Sequence, residues 1–164
     1  MKKFIGILIF FISFNISSQD TYLQCGKIID TERGKVLNKK TIIVSSDKII
    51  AIKNGYVSSD NPLDKVIDLK SKTVMPGLID MHVHIESEFN PQKYMNAFTA
   101  NDADIAFGSL KFAEITLMAG FTTVRDLGGT GINISLRDAI AKGEVVGPRI
   151  FTAGKAIGTT GGHA

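Results

Sequence analysis

The spacing of apolar and polar positions changes character twice along the chain. Lys2 and Lys3 precede Phe4 to Phe14, an almost wholly apolar run of 11 residues, and small and polar residues follow from Asn15 to Gln19. From Thr21 to Leu69 the pattern is one of short alternating stretches rich in β-branched residues, which favours strands. Tyr22 to Ile29, Thr41 to Ser45, Lys48 to Ile52 and Val66 to Leu69 are the expected strands. Ser46-Asp47 separates the second from the third, and Asn54-Gly55 is a turn dipeptide.

The second change comes at Lys72. Pro76-Gly77 breaks an apolar run, and Leu78 to His84 reads as a strand. A helix is expected from about Ala103 to Ala119, with Ile105, Leu110, Phe112, Ile115, Leu117 and Met118 as its apolar stripe and Gly120 as its stop. Phe121 to Leu127 reads as a strand closed by Gly128-Gly129. Ile134 to Lys142 reads as a helix capped by Asn133 or Ser135, and Arg149 to Ala156 as another strand. Strand, helix, strand, helix, strand is the order of a parallel α/β arrangement. The expected organisation is therefore an export signal over 1–18, a small β domain over 19–72 and an α/β domain over 73–164.

The first segment has the layout of a secretory signal, with a charged start, an apolar centre and a small-residue end, and cleavage is expected after Ser18. A membrane-spanning helix needs about 20 apolar residues, so no permanent span is expected. The expected destination is periplasmic or extracellular. Charge adds little: setting aside Lys2 and Lys3 from the 19 basic residues leaves 17 against 16 acidic ones, and no basic patch for nucleic acid remains. The single cysteine, Cys25, makes no internal disulfide and fits no redox or zinc-finger pattern. Leu23-Gln24 before it is not the small-residue context of a lipidated cysteine, and Cys25 reads as a small buried hydrophobe.

Candidate chemistry is concentrated in Asp80-Met81-His82-Val83-His84. Alternate side chains of a strand share a face, which would put Asp80, His82 and His84 together and Ile79, Met81 and Val83 opposite. Imidazoles at i and i+2 have Cα atoms about 7 Å apart and can converge on one cation. The end of a parallel strand is also where α/β enzymes place their sites. Asp80, one step deeper, suits the orientation of an imidazole. A bare His-x-His pair also occurs as two satisfied histidines at a strand end, and the pattern alone leaves both readings open.

Thr73-Val74-Met75-Pro76-Gly77-Leu78-Ile79-Asp80-Met81-His82-Val83-His84 resembles the first-strand motif of the amidohydrolase superfamily. Cys25-Gly26-Lys27-Ile28-Ile29-Asp30 resembles the opening strand of its small β domain. Gly120 to Gly128 resembles its second barrel strand, and Gly147-Pro148-Arg149-Ile150 with Thr160-Gly161-Gly162-His163 resembles its third-strand region. Four motifs in order resemble the imidazolonepropionase-like and Xaa-Pro dipeptidase-like branch. The resemblance implies a (β/α)8 TIM-like barrel, of which the chain holds the first three βα units, preceded by a small β-sandwich-type domain. It implies one or two divalent ions, usually zinc, with His82 and His84 as ligands. The further ligands, a lysine, two later histidines and an aspartate, match no position of this sequence. Lys155 lies on the third strand, whereas the family's lysine lies on the fourth. His163 is a candidate substrate contact.

The implied reaction is hydrolysis of a carbon–nitrogen bond in an amide, cyclic amide or Xaa-Pro substrate, that is, a small-molecule or dipeptide-like partner. Ninety-three residues follow Ser71, against about 250 for a whole barrel. The chain is therefore expected to be an N-terminal fragment, inactive alone. The competing readings are a non-catalytic α/β piece that packs or binds a partner and, within the superfamily, a deaminase or deacetylase.

Overall fold

The computed structural model describes residues 19–160. The export signal expected over 1–18 and the candidate substrate contact His163 lie outside the described residues. The chain divides into two compact units, one ending at Pro76 and the next beginning at Gly77.

The first unit is a four-stranded sheet. Its strands are β1 (Asp20–Asp30), β2 (Lys35–Ser45), β3 (Lys48–Asn54) and β4 (Lys65–Val74), in the order β3-β2-β1-β4. β1 pairs antiparallel with β2 and parallel with β4. All four expected strands are present, and each is longer than the alternation suggests. The half of β2 with little β propensity, Lys35 to Lys40, is strand because it continues the hairpin: Ile28 faces Leu37 and Asp30 faces Lys35. β4 runs on through Thr73 and Val74, which pair with Lys27 and Ile28. The expected boundary at Lys72 therefore cuts through a strand, and the chain leaves this unit at Pro76.

Cys25, Ile28 and Ile42 form the centre of this unit, with Leu23, Leu37, Val44, Leu69 and Val74 against them. Gly26 sits where the β1–β4 register shifts, and a Cβ there would meet the Lys70 carbonyl oxygen at 2.1 Å, so only glycine allows the two backbones this close. The buried Thr41 hydroxyl donates to the Gly55 carbonyl at 2.8 Å and accepts from the Val57 amide at 2.9 Å, tying down the chain after the Asn54-Gly55 turn.

The second unit is α/β. Its strands β5 (Leu78–Val83), β6 (Phe121–Asp126) and β7 (Arg149–Thr152) form a parallel sheet in the order β5-β6-β7. Helices α1 (Lys93–Thr99) and α2 (Asp102–Met118) lie between the first two strands in sequence, and α3 (Ile132–Ala141) between the last two. Ile85, Ala113, Val124, Leu136 and Ile150 make the core. Among the described residues no helix is long and apolar enough to cross a membrane.

The face α2 buries is not the expected one. Ser109 and Ala113 are buried, whereas Leu110, Ile115 and Met118 are exposed. Apolar residues surround this helix, so its sequence does not mark one side, and the small side chains take the inner face because they allow close approach. Its start is set by Asn101, whose side chain accepts from the Ala103 and Asp104 amides while Asp104 accepts from the Asn101 amide. The short helix α1 carries no sequence signal, since seven residues are too few to show a period.

Candidate metal centre

β5 ends at Val83, so His82 is the second-last strand residue and His84 the first beyond it. Both imidazoles are exposed. Their ring centres are 5.6 Å apart, with the planes at 73°. An ion about 2.0–2.1 Å from a ring nitrogen lies about 3.2 Å from that ring's centre, so two rings on one tetrahedral ion are centred roughly 5.2 Å apart. The separation of His82 and His84 thus fits two ligands of one divalent ion, and imidazole suits zinc and its neighbours. Among the described residues no group of three or more His, Cys, Asp or Glu side chains gathers as a complete site.

The alternation assumed for Asp80, His82 and His84 does not carry through β5. Asp80 is registered with Val124 and Val83 with Asp126, so β5 uses three steps where β6 uses two. Two backbone groups at this irregularity are bonded by side chains. The Asp80 carboxylate accepts from the backbone amide of His82 at 2.9 Å. Arg125 Nε donates to the Met81 carbonyl at 2.8 Å. Asp80 therefore shapes the backbone that carries His82, and its bond goes to that amide, not to an imidazole.

The partner that orients a ring is at the far end of β6. His84 Nδ1 lies 2.8 Å from the Gly128 carbonyl oxygen. A carbonyl only accepts, so Nδ1 carries a proton, and in the neutral ring Nε2 is then the lone-pair nitrogen. Gly128 is buried with φ +129°, and a Cβ on it would meet the Ala156 Cα at 2.5 Å. Arg125 and Asp126, adjacent on β6, face opposite sides: Arg125 is exposed, whereas Asp126 is buried against the α3 side, within 3.4 Å of Asn133 Nδ2.

Glu86, which no sequence pattern marks, organises the next turn. Its carboxylate accepts from the Thr130 and Asn133 amides, each at 2.7 Å. The Asn133 amide is one of the free amides in the first turn of α3, and Thr130 directly precedes the capping position, Gly131, which has no side-chain bond of its own. Neither Asn133 nor Ser135 is the cap; Asn133 lies inside the helix, fully buried. A cavity of about 540 Å³ opens beside His84, lined by Glu86, Glu88, Asn96, Asp104 and Phe112 among others.

Residues 73–163 match the model of the amidohydrolase family. A 5-methylthioadenosine/S-adenosylhomocysteine deaminase of Bacillus cereus is 40% identical over 65 residues, which is 40% of this chain and 15% of that protein. Among solved structures, a Xaa-Pro dipeptidase with methionine bound in its active site is 42% identical with a TM-score of 0.80, over 89% of this chain and 36% of that one. Molinate hydrolase is 26% identical with a TM-score of 0.71, over 87% of this chain and 31% of that one. The chain therefore spans about a third of the length of these solved relatives and less of the deaminase.

Proposed function

Because the chain belongs to the amidohydrolase family, we propose that it is the front part of a metal-dependent hydrolase of carbon–nitrogen bonds, with His82 and His84 as the first ligands of its divalent ion. The observation that carries this is the pair itself: two imidazoles at the carboxyl end of the first strand of a parallel sheet, 5.6 Å apart, one of them with Nδ1 held by a carbonyl. In this reading β5 and β6 with the helices that follow them are the first two βα units of a (β/α)8 barrel, β7 is the strand that opens the third, and the first unit is the N-terminal part of a β-sandwich-type domain.

When bound, the ion supplies a hydroxide at neutral pH by lowering the pKa of water to about 7 and polarises the carbonyl under attack. This chain's own residues do the positioning. The Gly128 carbonyl fixes the tautomer of His84, the Asp80 and Arg125 contacts fix the backbone of His82, and the cavity beside His84 provides room for a small substrate. We take zinc as the ion, one or two per site, and export through residues 1–18 as the route.

A Xaa-Pro dipeptide is the favoured substrate, because the dipeptidase-like relative matches nearly the whole chain. Deamination is the second reading, favoured by the deaminase match over 65 residues. The test is made on protein expressed from the complete reading frame. Zinc-dependent release of proline from Xaa-Pro dipeptides is expected, abolished by chelation and by His82→Gln with His84→Gln. Ammonia from aminopurine nucleosides with no proline release would move the assignment to the deaminases. No hydrolysis of either class above the double variant would overturn the proposal.

A further inference from the structure

Asp126 is 1% exposed, and no ion pair reaches it among the described residues. A buried carboxylate without a countercharge is costly unless donors surround it. Its donors are amides. Oδ1 accepts from the Gly128 amide at 2.8 Å, and Oδ2 accepts from the Ile85 amide and from Asn133 Nδ2, both at 3.4 Å. Two of these three belong to the surroundings of one imidazole. Ile85 directly follows His84, and Gly128 is the residue whose carbonyl meets His84 Nδ1. The carboxylate thus holds both the backbone that carries the ring and the backbone that receives its proton.

We propose that Asp126 is the positioning residue of His84, fixing the ring through the Gly128 and Ile85 amides as the Nδ1–H tautomer with Nε2 presented to the metal. Its relevance to the metal rests on the reading of His84 as a ligand; the tautomer itself does not. Asn133 completes the arrangement, because its Nδ2 also donates to the Gly154 carbonyl at 2.9 Å and so anchors the third donor.

The test is the nitrogen-15 ring spectrum of His84 in the metal-free 164-residue chain at alkaline pH, followed by zinc titration. The wild type is expected as a single Nδ1–H form, and Asp126→Asn as a mixture of tautomers with zinc binding weakened about 10–100-fold. Asn133→Ala is expected to shift the ring the same way by less, and it carries the test if Asp126→Asn does not fold. Leu136→Ala, a core truncation in the same unit, is expected to lower stability and leave the tautomer unchanged. An Nε2–H ring in the wild type overturns the inference. So does an unchanged ring in folded Asp126→Asn, or in Asn133→Ala where Asp126→Asn is unfolded, and so does an equal shift in Leu136→Ala. A correct tautomer that binds no zinc would instead remove the metal reading and leave the positioning intact.

Discussion

Glu86 shows how one side chain can stand in for a local signal. α3 begins without a capping side chain of its own, and a carboxylate more than forty residues earlier takes one amide of its first turn, that of Asn133, together with the Thr130 amide just before the cap. Charge-assisted bonds at a helix start combine the capping and dipole effects. Glu86→Ala is expected to lower the unfolding free energy by about 1–2 kcal/mol in a urea titration. Gly128→Ala should cost at least about 1–3 kcal/mol from backbone strain alone, before the collision with Ala156. Cys25 gives a pH signature. Burial pushes its thiol above the ordinary 9.0, outweighing a backbone bond from Ile42 that lowers it. The unfolded thiol then ionises first as pH rises, so this contribution is complete below 9.0 and is lost as pH climbs through the folded value. Unfolding free energies measured across that window should fall more steeply for the wild type than for Cys25→Val.

At the scale of elements, β5 is the strand whose irregularity matters. Two of its backbone groups are taken by side chains, the His82 amide by Asp80 and the Met81 carbonyl by Arg125. Alternation read from sequence assumes an unbroken pleat; here the register shifts between Asp80 and Val83, the Asp80 carboxylate bonds the His82 amide, and the His82 and His84 rings meet. α2 teaches a related lesson. Its length was legible from Gly120 and its apolar content, but its buried side was not, because Phe107, Leu110, Ile115 and Met118 are exposed around it. Its capping box was in the sequence as Asn101 and Asp104. Asn101→Ala should destabilise the protein by about 1 kcal/mol, measured as a lower urea midpoint with unchanged slope.

At the scale of the whole molecule, the order of strands and helices was legible because hydrophobic period and turn residues are local. The strands of the first sheet, the parallel order β5-β6-β7 and the position of the histidine pair at a strand end all follow from such signals. What was not legible depends on long-range contact. The continuation of β4 to Val74 is set by Lys27 and Ile28 across the sheet, and the orientation of His84 by a carbonyl at the far end of β6. The central claim is that His82 and His84 converge on one ion. Titrating zinc into the chain while following both imidazole ring signals tests it most directly. Joint movement of the two rings with one saturation point is the expected result; movement of one alone, or of neither in the folded protein, would contradict it.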